Sequence, residues 1–198
     1  MMIQISEKEY LDALNFSISS SVGQRETFGS QGRMRNIDEI RQNTLLGKVG
    51  EIIVFNFFRD KLKIKIDSID FNIYPRGEWD NGDLSINGKS IQIKASKISA
   101  KWLMVEKHEF DSTDCRVYFM VVVASDFHSG EVLGFASRKD FKNPRRSMHV
   151  KKGETIPRTK TILQNDNYMI HKDKLRNSLE DFDKLKQYLL SEFQGISH

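Results

Sequence analysis

One cysteine, Cys115, stands in the whole chain. An internal disulfide is therefore excluded, and the thiol is expected to serve packing in a reducing compartment such as the cytoplasm. Long apolar runs are missing too: no stretch approaches the unbroken hydrophobic length that a membrane-spanning helix requires. The opening Met1-Met2-Ile3-Gln4-Ile5-Ser6-Glu7 has neither a basic start nor an extended apolar segment, which argues against a secretory signal. Internal repeats and low-complexity tracts are also absent. What remains has the composition of a soluble globular protein, 198 residues with 38% hydrophobic and 29% charged side chains. That length suits one domain. Its expected parts are an N-terminal helix and Arg/Gly/Ser loop over 1–45, a core over 46–137, and a basic segment with a C-terminal helix over 138–198. The net charge of +4 and pI near 9.1 fit a polyanionic partner if the excess is localised.

Patterning predicts a mixed α/β (α+β) fold with a central mixed sheet flanked by helices. Ser6 followed by Glu9 is a capping box for a short helix over 6–16. Residues 17–36 lose periodicity and read as an exposed loop carrying Arg25, Arg33 and Arg35. Apolar residues return at helical spacing from Ile37 to about Leu62, with an interruption near Gly47, and 50–58 is apolar on nearly every side. Glu51 is the one charge in that buried segment, so it must find a cation, a proton or a hydrogen-bond donor, or else sit at a helix end in water. A strand is predicted over 65–74, ended by Pro75-Arg76-Gly77. The continuous apolar run from Arg116 to Ser125 reads as a central strand covered on both faces. Further strands are expected at 131–136, after a Ser129-Gly130 turn, and at 168–170, with an amphipathic helix over 179–193.

The strongest local signal is Asn87-Gly88 between two alternating runs, a two-residue hairpin turn. The turn fixes the register. Ile86 faces Lys89, Ser85 faces Ser90, Leu84 faces Ile91 and Asp83 faces Gln92. Leu84, Ile86, Ile91, Ile93 and Ala95 then share one face, and Asp83, Ser85, Ser90, Gln92, Lys94 and Ser96 the other. Asp80 has the opposite parity, which favours Asp83 as the functional carboxylate. A half-exposed sheet shows the same polar and apolar alternation without any chemistry.

A glutamate on a helix, an aspartate at a strand start, then a hairpin leading into an acid-x-lysine strand resembles the PD-(D/E)xK nuclease superfamily. Gly47-Lys48-Val49-Gly50-Glu51 looks like that family's first helix, Gly82-Asp83 like its aspartate motif and Gln92-Ile93-Lys94 like its third motif, over roughly residues 45–136. Two positions depart from the pattern: Gly82 replaces a proline, and Gln92 replaces an acid. The resemblance implies a restriction-endonuclease-like core and metal-dependent hydrolysis of DNA, with Mg²⁺ as cofactor and Mn²⁺ as substitute. It also implies a catalytic set of Glu51, Asp83, Gln92 and Lys94. Asp83 would be the main metal ligand, Gln92 a neutral oxygen ligand, and Glu51 a ligand to a second metal or to a water. Lys94 would position or deprotonate the attacking water and stabilise charge on the phosphate.

A polyanion would need a basic surface. Arg138, Lys139, Lys142, Arg145, Arg146, His149, Lys151 and Lys152 crowd one short stretch with Asp140 as its single acid. Arg33 and Arg35 could reach guanine edges, and Phe28 or Met34 could wedge between bases. Double-stranded DNA and a homodimeric, restriction-type enzyme are the leading expectations. The alternatives are a nuclease for junctions, flaps or phage recombination intermediates, and a DNA-binding protein that keeps the fold without catalysis.

Overall fold

The structure, a computed structural model, describes residues 1–28, 36–66, 68–72 and 83–191, the side chains of 22–28 excepted. It is a mixed α+β fold. A five-stranded mixed sheet runs in the order β1 (Met2–Gln4), β6 (Ser129–Ser137), β5 (Val117–Val123), β3 (Lys89–Lys97) and β2 (Leu84–Ile86). All pairings are antiparallel except β3 with β5, which run parallel. A three-stranded antiparallel sheet follows the order β4 (Trp102–Glu106), β8 (Asn167–His171), β7 (Ser147–Val150). The helices are α1 (Glu7–Phe28), α2 (Ile37–Phe57), α3 (Lys107–Ser112), α4 (Arg138–Phe141) and α5 (Leu179–Leu190). No helix among the described residues is long and apolar enough to cross a membrane.

β5 organises the core, and its alternation explains the layering. Val117, Phe119, Val121 and Val123 pack with α2, α5 and Phe135, while Tyr118 and Met120 pack on the opposite face with Leu103, Phe110, Phe141 and Ile170. All seven β5 residues are buried, as a strand covered on both faces requires. The aromatic side chains Phe57, Phe58, Phe119, Phe135 and Phe182 meet edge-on or tilted at centroid distances of 4.9–6.4 Å. That geometry is the preferred one for ring pairs.

Four elements differ from the patterns read in the sequence. α1 continues through most of the expected loop, because Ser17, Ser20 and Ser21 donate to carbonyls in the preceding turn and are small enough for α1 to lie close on α2. α2 passes Gly47 without interruption and ends in a π-helical turn, Phe58–Leu62, closed by Lys63 at φ 55°. No strand forms at 65, 66 or 68–72, and the rest of that predicted strand lies outside the described residues. β6 starts at Ser129 itself, since Asp126–His128 make the turn. β1, β4, β7, α3 and α4 have no counterpart in the expectations above.

Candidate active site

The hairpin forms in the register that its turn dictates: Leu84 opposite Ile91, Ser85 opposite Ser90 and Ile86 opposite Lys89. Asn87 and Gly88 take φ of 49° and 72°, the left-handed pair that this turn demands. β2 begins at Leu84, and Asp83 stands just before it, at the point where the two strands part. Its Oδ2 accepts the Ile93 N–H at 2.5 Å, so the side chain continues the ladder where the backbone leaves it. On β3, Gln92 and Lys94 lie beside Tyr118 and Met120 of β5, on the face turned to α3.

α2 reaches the same edge from the other face. Gly50 lies so close to β3 that a Cβ there would stand 2.5 Å from the Cβ of Ala95. This close crossing puts the adjoining Glu51 and Lys48 near the end of the sheet. Lys48 donates to Glu51 at 2.6 Å and to the carbonyl of Asp70 at 2.7 Å, with side-chain exposures of 8% for Lys48 and 13% for Glu51. Glu51 is thus a largely buried carboxylate with a lysine partner. Phe16 and Phe71 border the ammonium at 4.5 and 5.3 Å from their ring centroids.

Glu109 of α3 was missed by the sequence reasoning. Its carboxylate takes Lys94 Nζ at 2.6 and 2.9 Å and also accepts from the Gln92 amide. Lys48 was missed as well, although its spacing of three from Glu51 on a helix was a usable signal. Nothing local marks Glu109, because α3 is a six-residue helix whose position depends on β4 and the second sheet. Among the described residues no three His, Cys, Asp or Glu side chains converge in a metal-holding group. Glu51 and Glu109 each point instead into a lysine pair.

Asp83 is the unbalanced member. Burial pushes its carboxyl up to about 6; the Ile93 N–H and the Lys94 and Lys48 charges pull it down, and Glu109 adds to the rise. The residue keeps partial surface exposure while its carboxyl group is largely desolvated. Among the described residues two lysines face three carboxylates, and these five side chains sum to one net negative charge when Asp83 is ionised and none when it is protonated. Beside it the Gln92 Oε1 is shielded from water and has no hydrogen-bond partner among the described residues. A desolvated carboxylate and an unpaired amide oxygen suit a hard divalent cation that keeps several waters.

The basic stretch divides in the structure. Arg138 is tucked in, donating to the Thr113 carbonyl at 2.9 Å and lying 4.1 Å over the Phe110 ring. Arg146 pairs with Asp140 at 3.3 Å. Lys139, Lys142, Arg145, His149, Lys151 and Lys152 are exposed. Asp80, Gly82, Arg33, Met34 and Arg35, with the side chains of Arg25 and Phe28, lie outside what the structure describes. Cys115 is buried and donates toward the carbonyls of Val117 and Ser90, a packing role. Comparison of the chain with protein-family models, with curated proteins and with solved structures finds no match.

Proposed function

We propose that the chain is a Mg²⁺-dependent endodeoxyribonuclease of the PD-(D/E)xK type, with a restriction-endonuclease-like core and duplex DNA as substrate. One observation carries the reading. Asp83, Gln92 and Lys94 come together at the parting of β2 and β3 with Glu51 approaching on α2, and among the described residues the side chains of this cluster sum to one negative charge when Asp83 is ionised.

Asp83 and the Gln92 Oε1 would hold the ion. A divalent cation supplies charge relief on the phosphate oxygens and a water acidic enough to attack phosphorus at neutral pH. Lys94, oriented by Glu109, donates a hydrogen bond toward a non-bridging oxygen as negative charge grows there. Glu51, fixed by Lys48, accepts a hydrogen bond from the attacking water and so orients it. Lys139, Lys142, Arg145, Lys151 and Lys152 supply exposed charge for phosphate contacts. Among the described residues one chain carries one such cluster, so cutting both strands of a duplex calls for a homodimer.

A second reading is a DNA-binding protein without catalysis. It is favoured by the closed Gln92–Glu109–Lys94 contact and by the lack of a three-carboxylate group among the described residues. Supercoiled plasmid, linear duplex and branched DNA, each incubated with Mg²⁺, Mn²⁺ or a chelator, separate the readings. Cleavage is expected with either ion, and none with chelator or with Asp83→Ala. DNA retention without product in every ion condition would favour the second reading, and cleavage that survives Asp83→Ala would remove the site.

A further inference from the structure

A cavity of about 600 Å³ opens where β5 begins and β6 ends, between α4 and α5. It belongs to neither lysine–carboxylate pair of the candidate active site. Its lining is split by chemistry. Val117, Phe135, Leu185 and Tyr188 give it an apolar and aromatic wall, and six basic side chains stand against two acidic ones.

Most of those cations have internal partners. Arg176 makes a two-bond pair with Asp140 at 2.9 and 3.0 Å, Arg116 pairs with Asp114 at 3.1 Å, and Lys184 pairs with Glu180 at 2.5 Å. Arg138 is engaged by the Thr113 carbonyl and the Phe110 ring. Lys139 and Lys142 have no side-chain hydrogen bond or ion pair among the described residues. Both stand exposed at the rim, one inside α4 and the other at its C-terminal end. Opposite them, α5 offers the Tyr188 ring, 41% exposed, with Lys89 Nζ 5.2 Å from its centroid.

We infer that this cavity binds a nucleoside phosphate: the phosphate monoester lies between Lys139 and Lys142, and the base lies against Tyr188. Two uncommitted ammonium groups match the roughly two negative charges of a phosphate monoester near neutral pH. An aromatic face accepts any base, so the site selects for phosphate and ring rather than for sequence. The volume lies within the range typical of small-molecule pockets. The ligand has two possible sources, a free mononucleotide or the phosphorylated end of a strand. The inference goes beyond the nuclease reading, with which it shares Lys139 and Lys142 as phosphate contacts, and does not depend on the Asp83 cluster.

The test is equilibrium dialysis of the full chain with labelled mononucleotides, 5′- and 3′-phosphorylated short oligonucleotides, the same oligonucleotides lacking the phosphate, and inorganic phosphate. Saturable binding of a phosphorylated nucleoside is expected, weakened tenfold or more by Lys139→Ala with Lys142→Ala and severalfold by Tyr188→Leu. Asp83→Asn should leave it unchanged, which keeps the outcome separate from that of the active site. Preference for mononucleotide or for strand end identifies the source. Lack of saturable binding, inorganic phosphate binding as tightly as the nucleotide, or insensitivity to the lysine pair would each overturn the inference. Circular dichroism and thermal melting of the variants, expected to match the parent, exclude misfolding as the cause of a loss.

Discussion

Asp83 and Asp140 are both withdrawn from water, yet their surroundings treat them in opposite ways. Asp140, with a side chain only 4% exposed, receives two bonds from Arg176, a contact from Arg146, and the N–H and hydroxyl of Ser137. Although its burial opposes ionisation, these partners together hold its carboxyl below the usual range. Asp83 receives one backbone N–H, and burial takes it up to about 6. The difference separates a carboxylate surrounded by donors from one that accepts a single backbone N–H among the described residues. Asp140 ties α4 to the strand bridge at Arg176 and is structural. Asp83 sits where β2 and β3 part, and among the described residues the Lys94 and Lys48 charges do not offset its burial, the kind of perturbed carboxylate that functional sites often hold.

The comparison is sharpest when each aspartate is removed. Asp140→Ala strands the Arg176 and Arg146 guanidinium groups and opens the capping box of α4, and should cost about 3–5 kcal/mol in urea unfolding. Asp83→Asn should do the reverse at neutral pH. The folded state holds the Asp83 proton more tightly than the unfolded chain, so stability falls as pH rises from about 4 through about 6. The asparagine variant escapes that loss and should exceed the parent by at most about 3 kcal/mol at pH 7.5, with no pH-dependent gain below pH 4. Asp140, whose pKa is lowered, works in the other direction: its stabilisation is present above about pH 4 and is lost on acidification. Urea midpoints across pH for the two variants check both signs. Equal slopes would erase the distinction.

Gly50→Ala tests whether the site depends on how α2 seats on β3. The added methyl meets the Ala95 Cβ at 2.5 Å, so a loss of about 1–3 kcal/mol is expected, recovered in part by Ala95→Gly. The smallest effect on stability belongs to Glu109→Gln, expected within about 1 kcal/mol because the Lys94 pair is partly exposed. Its consequence should appear in function instead, as a higher Mg²⁺ requirement for cleavage. Cleavage curves that superimpose on the parent's would return Glu109 to a surface role.

Local sequence was informative wherever local physics decides. Asn87-Gly88 set a register that the structure reproduces, and the apolar run of β5 implied a strand buried on both faces. The amphipathic pattern beginning at Leu179 is helix α5, although the capping box of Ser178 and Asp181 that starts it was not read from the sequence. Residues 17–28 misled, because serine and glycine suggest a loop while the serine hydroxyls are satisfied within a helix that packs on α2. Of the candidate site, the hairpin residues and Glu51 were legible. Glu109 was not, since its meeting with Lys94 is set by a connection through β4 and by the position of the second sheet, neither of which leaves a periodic signature. The partition of the basic stretch was equally hidden. Arg138 and Arg146 turn inward because Phe110, Thr113 and Asp140 meet them there, contacts made only on folding.

The central claim is that Asp83 waits for a divalent cation and uses it to cut DNA. Mg²⁺ titrations at pH 7.5 that follow thermal stability and duplex cleavage on the same samples, for the parent and for Asp83→Asn, test it most directly. The parent should gain melting temperature and cleavage together over one range of Mg²⁺ concentration, while Asp83→Asn should start more stable, gain nothing and cut nothing. A parent whose stability ignores Mg²⁺, or a variant that responds to Mg²⁺ as the parent does, would contradict the claim.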